Sequence, residues 1–308
     1  MLENDTRIKV IYVGGSGRCG STLLSLLFSQ HEAFLDCGEI KNIWERGIQE
    51  NRKCACGQDF QTCGFWHDVI ETAYGTSSAS VAKDMHESLY RATRYRNYPR
   101  IRKASRLGHG VLDGQQVQQL GRLYASIHEH ANGRLIVDSS KLPPYARVLM
   151  LLPNVDIFYV DLVRDARAVV YSWQKKMKYE PESAREMDRF GILHAAYIWK
   201  LAYMTSHDVS KELPGMAIRY EDLVADTKGT MEKLLQEISR WAARDLPDAA
   251  VDQLSWAGTS HSLSGNPLRF RKGEDIRLDD EWKRSFRGMN KLVTDVFCSH
   301  QLRRYGYI

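Results

Sequence analysis

Residues 8–28 read IKVIYVGGSGRCGSTLLSLLF, and the interpretation of this stretch decides the fold. Ile8–Val13 is a short apolar run rich in β-branched residues, the pattern of a buried strand. Gly14, Gly15, Ser16 and Gly17 break the run, and apolar residues return at helical spacing from Ser21 to Phe28. A strand that turns through glycines into a helix leaves backbone N–H groups pointing out of the helix N-terminus. Together with the helix dipole they form an anion site suited to phosphate or sulfate. Arg18 adds a fixed, fork-shaped positive charge, and Ser21 and Thr22 add hydroxyl donors in the first turn. The plainer alternative is a glycine turn in an ordinary βα unit.

Outward from this stretch, strands and helices alternate. Ala33–Cys37, Arg134–Val137, Val155–Val163 and Met216–Arg219 have strand composition, and helical segments separate them. The alternation predicts an α/β fold, a P-loop-like parallel sheet flanked by helices. Residues just beyond strand ends in such a sheet face the ligand crevice, which places Glu39, Lys141 and Arg164 there. Glu39 could equally be a loop carboxylate, or a charge at the start of a helix over Ile40–Gln49. Helices are expected over Ala166–Met177 and Ser183–Leu213, the second with Phe190, Leu193, His194, Tyr197 and Leu201 as its apolar stripe. Residues 50–133 differ from their surroundings and are expected to form a helical, cysteine-containing insertion within a single domain spanning 1–308. The basic segment Arg91–Arg106 reads as a solvated face.

With 43% hydrophobic residues the chain can bury a sizeable core, and its formal charge of +5 suits an anionic ligand without the basic runs of a nucleic-acid tail. The N-terminus, MLENDTRIKV, lacks the features of a signal peptide, and no apolar run approaches the roughly 20 residues of a membrane span. These features predict a cytoplasmic protein. Three of six cysteines cluster as Cys54, Cys56 and Cys63. A zinc site would need a fourth ligand, with Cys37 or His67 as candidates, but the spacing matches no standard zinc pair. The expectation is a packed, Gly-containing loop without metal, with one disulfide if the compartment is oxidising.

Gly15–xxxx–Gly20–Ser21–Thr22 nearly matches a nucleotide triphosphatase P-loop, with Ser21 in place of the motif's lysine and the cation moved to Arg18. This displacement resembles the 5′-phosphosulfate loop of sulfotransferases that use 3′-phosphoadenosine 5′-phosphosulfate (PAPS). Arg164 and Ser172 in LVRDARAVVYSW, eight residues apart and so on one helix face, resemble the family's pair for the 3′-phosphate. Arg219–Tyr220–Glu221–Asp222 is similar to the segment whose tyrosine packs near the adenine. Arg271–Lys272–Gly273, followed by Trp282–Lys283, resembles the late segment that closes over the 3′-phosphate. Lys141 in Lys–Leu–Pro resembles the lysine that contacts the transferring sulfonate. Glu39 in Asp36–Cys37–Gly38–Glu39 looks like the catalytic glutamate of tyrosylprotein and some bacterial carbohydrate sulfotransferases.

The resemblance covers the sheet core and the tail, not residues 50–133. It implies sulfonate transfer from PAPS to an acceptor hydroxyl, with Glu39 as general base and Arg18 and Lys141 stabilising charge on the transferring group. It also implies donor contacts from Gly17, Arg18, Cys19, Gly20, Ser21 and Thr22 in the loop, from Arg164, Ser172 and Tyr220, and from Arg271, Lys272 and Gly273. No metal is implied. The acceptor is a carbohydrate, peptide tyrosine, lipid or small alcohol, and Trp44, Phe65, Trp66, Tyr74 and Tyr90 would suit any of these and equally a plain core. The alternatives are a kinase with a degenerate P-loop, disfavoured by the missing lysine, and a catalytically silent nucleotide-binding protein.

Overall fold

The computed structural model describes residues 7–176, 186, 188–246, 260–270 and 276–308. Ile8–Gly15 forms β1, the central strand of a five-stranded sheet with β2 (Phe34–Asp36), β3 (Leu135–Lys141), β4 (Val155–Val163) and β5 (Gly215–Arg219). The order is β2-β3-β1-β4-β5, and every pairing is parallel. A parallel sheet needs both faces covered, and the two-residue period of β1 supplies both. Val10 and Tyr12 enter one apolar core, while Ile11 and Val13 enter another on the opposite face.

The Ile11 face is covered by α1 (Ser21–Ser29) and α10 (Thr227–Ala242), with α9 (Tyr220–Ala225) leading into the latter. The Val10 face carries the helices of residues 50–133: α2 (Gly64–Tyr74), α3 (Ser78–Ala92), α4 (Tyr98–Leu107) and α5 (Gly114–His130). Asp113 caps α5 through a reciprocal pair with Gln116, as the acid-x-x-amide spacing allows. On the same face lies α6 (Pro143–Leu149), whose prolines occupy its first turn. A third core joins α7 (Ala166–Ser172), α8 (Ile192–Val209) and the C-terminal α12 (Gly288–Arg304), which follows the short α11 (Trp282–Ser285).

Three local expectations need correction. The segment Ile40–Gln49 is not an α-helix: a 3₁₀ turn over Ile40–Asn42 leads into a wider π-helical winding over Ile43–Gln49. The helix begun at Ala166 stops at Ser172, and the second long helix begins at Ile192; residues 177 and 183–185 lie outside the described residues. The apolar stripe of α8 is also misassigned. Leu193 and Tyr197 are exposed, and the buried face is Ala195, Ala196, Trp199, Ala202, Tyr203 and Ser206. The alanines let the helix approach its neighbours closely, and that approach seats the Trp199 and Tyr203 rings in the core.

Among the described residues no helix is long and apolar enough to cross a membrane. The reassigned face of α8 has a direct energetic consequence. Trp199→Ala should cost about 3–5 kcal/mol of unfolding free energy. Tyr197→Ser should stay within about 0.5 kcal/mol of the parent. Urea unfolding midpoints measure both, and a large loss from Tyr197→Ser would contradict the assignment.

Candidate active site

From β1 the sheet runs outward through β3 to β2 on one side and through β4 to β5 on the other. The C-terminal end of β1 is therefore the point where strand order reverses, the place at which open parallel sheets bind ligands. The glycine loop leaves β1 there, and α1 begins at Ser21 after Gly20, whose φ is +97°. A Cβ at Gly20 would lie 2.3 Å from the Tyr220 ring, so glycine lets the tyrosine pack directly on the loop. Gly38, at φ +63°, is constrained in the same way, since its Cβ would meet Ser262 Oγ at 2.1 Å.

Lys141 reaches the site through an irregularity in the sheet. Tyr12 pairs with Asp138 and Gly14 with Lys141, so β3 spends three residues where β1 spends two. This bulge re-aims the strand end. Buried Asp138 holds it by accepting from the Ser140 N–H at 2.9 Å, and Ser140 Oγ accepts from the Lys41 N–H at 3.0 Å. Lys141 has φ +67° and Arg18 φ +68°, left-handed values that cost a non-glycine residue about 1–3 kcal/mol and concentrate at functional sites.

Glu39 sits between β2 and the 3₁₀ turn and is 8% exposed. Its Oε1 accepts from Lys141 Nζ, and its Oε2 accepts from Asn42 Nδ2 at 2.6 Å and lies 3.5 Å from Arg46. Burial pushes the carboxyl upward, but Lys141, Arg46 and Arg269 together outweigh it and hold the group below its ordinary value of 4.5. The π-helical winding contributes here, because it carries Arg46 on the segment that starts beside Asn42.

Across the loop, Arg164 at the end of β4 donates to Arg18 O at 3.3 Å and lies 4.5 Å from the Tyr220 ring centre. Its Nη2 also meets the Asp279 carboxylate at 3.1 Å. Asp279, in turn, lies 3.4 Å from Lys175. Burial raises the Asp279 carboxyl, but the Arg164 and Lys175 charges outweigh it, so its net displacement is downward. Arg18 lies over the Trp173 ring at 4.8 Å.

These groups line one cavity of about 610 Å³, within the size range of small-molecule sites. Of the residues expected from sequence, Gly17, Arg18, Gly20, Ser21 and Thr22 line it, and so do Glu39, Lys141, Arg164, Ser172 and Tyr220. Cys19 does not: its side chain is fully buried in the core beneath α1, and burial pushes its thiol up. Arg271, Lys272 and Gly273 lie outside the described residues. Trp282 packs over Arg167 at 5.0 Å, away from the cavity. Sequence reasoning missed Arg46, Trp173, Lys175, Asn266 and Asp279, which also line it. Of these only Trp173 carried a local signal, directly following Ser172.

The aromatic residues open to either an acceptor role or a plain core divide between the two. Trp44, Trp66 and Tyr74 are core, whereas Tyr90 is exposed and lines a smaller cavity of about 260 Å³ with Lys41, Asn42, Glu45, His86 and Leu89. Asn42 connects this second cavity to Glu39.

The chain matches the model of the Sulfotransferase family over residues 11–240. The protein belongs to that family, whose activity is sulfotransfer. Among solved structures it is similar to the sulfotransferase domain from the Synechococcus PCC 7002 olefin synthase, at 17% identity and TM-score 0.50, covering 96% of this chain and 94% of that one. It is also similar to the sulfotransferase domain from the curacin biosynthetic pathway, at 17% identity and TM-score 0.49, covering 95% and 98%. At this identity the likeness to the olefin synthase domain is one of fold. No curated protein matched the chain.

The balance at Glu39 gives a pH prediction. Because its folded value is lowered, Glu39 contributes stability that is present above its unfolded value and lost as pH falls through the folded one. Lys141→Met removes the strongest opposing charge, so burial should then raise the Glu39 carboxyl relative to the parent. Side-chain carbon NMR of labelled glutamate measures this, and an unmoved titration would show that Lys141 does not control the group.

Proposed function

We propose that the protein transfers a sulfonate group from PAPS to an acceptor hydroxyl, with Glu39 as general base. The observation that supports this most is the pair of buried Glu39 and half-buried Lys141 beside the glycine loop, in the cavity that Arg164 and Ser172 also line. In this reading the loop N–H groups and Arg18 hold the 5′-phosphosulfate, Arg164 and Ser172 the 3′-phosphate, and Tyr220 the adenine side. Arg271, Lys272 and Gly273 are assigned to the 3′-phosphate by resemblance alone. Asp279 occupies Arg164 in the free protein and would be displaced by the incoming phosphate.

The acceptor oxygen attacks sulfur from the side of Glu39, and its proton passes to the carboxylate. An S–O bond forms to the acceptor as the S–O bond to the nucleotide phosphate breaks, and adenosine 3′,5′-bisphosphate leaves. Negative charge grows on the bridging oxygen, where Arg18, Lys141 and the loop amides stabilise it. Glu39 is a weak base while it is paired with Lys141. If Lys141 turns to the sulfonate, the burial that now opposes ionisation makes the carboxylate more basic.

Two measurements test this. Adenosine 3′,5′-bisphosphate at about 100 times its dissociation constant should stabilise the fold by roughly 2.7 kcal/mol, and more than ATP–Mg²⁺ does. Stronger stabilisation by ATP–Mg²⁺ would favour a kinase. In assays of labelled sulfonate transfer to sugars, tyrosine peptides and alcohols, Glu39→Gln should lower turnover by about 10²–10⁴ with little change in donor affinity. The acid limb of kcat should lie above that of kcat/KM, since the first reports the complex and the second the free enzyme. Full activity in Glu39→Gln would remove it as the base.

A further inference from the structure

The fold gathers three cysteines and a histidine at one point beside the candidate active site. Cys54 and Cys56 lie on a tight turn closed by Gly57, Cys63 precedes α2, and His261 arrives 198 residues after Cys63. The four potential ligand atoms lie within 4.8 Å of one another. Cys63 Sγ is 3.6 Å from Cys56 Sγ and 3.8 Å from Cys54 Sγ. His261 Nδ1 is 3.7 Å from Cys54 Sγ and 3.5 Å from Cys63 Sγ.

These lengths match the edges of a metal tetrahedron. Zinc–sulfur bonds of about 2.3 Å and zinc–nitrogen bonds of about 2.0–2.1 Å imply ligand separations of roughly 3.8 Å between sulfurs and 3.6 Å from sulfur to nitrogen. A disulfide would need about 2.05 Å, and all six cysteines are free. The His261 ring is fixed by stacking on Phe65 at 4.4 Å, and its carbonyl accepts from Trp66 Nε1 at 2.7 Å.

We propose that Cys54, Cys56, Cys63 and His261 bind one Zn²⁺ as a closed, four-ligand structural site. Three sulfurs and one imidazole in a tetrahedron are a zinc donor set, and four protein ligands leave no open position for chemistry. This replaces the expectation of a metal-free loop. That expectation sought the fourth ligand nearby, but His67 is exposed and pairs with Asp68, and Cys37 lies outside the cluster.

The metal staples residues 260–266 to the cysteine turn. Ser262 O in that segment accepts from the Ala55 N–H at 2.9 Å, and Ser260 Oγ donates to Asp36 at 2.6 Å. Further along, Ser264 Oγ accepts from Arg46 at 2.7 Å, and the Asn266 N–H donates to Thr22 Oγ1 at 3.2 Å. The staple thus positions the segment that orients Arg46 toward Glu39 and closes over the first turn of α1.

Elemental analysis of the full chain, purified without chelator and desalted after equilibration with Zn²⁺, should find about one zinc per chain. Cys63→Ser and His261→Ala should reduce this to well under one, while Cys37→Ser and His67→Ala retain it. Since a ligand variant can fail to fold, Co²⁺ added to the metal-stripped parent chain gives an independent reading, the intense visible bands of a tetrahedral thiolate site. Removing zinc from the parent should speed amide exchange at Ala55 and His261, a readout that does not depend on any donor nucleotide. A parent chain without stoichiometric zinc, or one whose mass shows a disulfide among Cys54, Cys56 and Cys63, overturns the site. Unchanged exchange at these amides in a zinc-binding chain overturns the staple.

Discussion

A carboxylate buried at the end of a parallel sheet is the constraint around which this protein is arranged. Left alone, Glu39 would take up a proton rather than stay charged out of water. It stays ionised because the charges of Lys141, Arg46 and Arg269 outweigh its burial, and Lys141, Arg46 and Asn42 contact it directly. Each is delivered by a different device: a bulged strand end, a π-helical turn and a 3₁₀ turn. Removing one partner of such a buried pair costs far more than the pair contributes, so the surrounding backbone is bound to hold all of them.

The support continues beneath the site. Asp138 fixes the bulge that aims Lys141, and burial lifts its carboxyl to about 6 despite the hydrogen bonds from Ser140 and Tyr124. Because the folded chain holds that proton more tightly than the unfolded one, the stability contributed by this group declines as pH rises from the ordinary value of 3.8 toward about 6. A strained, partly destabilised framework beneath reactive groups is the arrangement expected where geometry serves chemistry rather than stability. The same logic applies at Arg164, whose charge is shared between the Tyr220 face and Asp279.

Features carried by local pattern were legible in the sequence. The β1 run, the glycine loop and the strand ends at Glu39, Lys141 and Arg164 follow from periodicity and from where crevices form in parallel sheets. Val155–Val163 was recovered to the residue. Features set by distant packing were not. Alanine gives no amphipathic signal, so the buried face of α8 was assigned to its larger neighbours Leu193 and Tyr197. Arg46 joins the site through a π-helical winding that no periodicity announces, and Asp279 because the chain after residue 276 returns to Arg164. His261 is the extreme case, invisible to a search for ligands near Cys63.

Under the proposed function, the glycine loop and the Arg164–Ser172 pair together recognise a nucleotide with phosphates at both ends of its ribose. A crystal structure with adenosine 3′,5′-bisphosphate tests it most directly. The 5′-phosphate should lie on the backbone N–H groups between Gly17 and Thr22, and the 3′-phosphate on Arg164 and Ser172 with Asp279 displaced from Arg164. A bisphosphate bound in the reverse orientation, or one that leaves the Arg164–Asp279 pair intact, would contradict it.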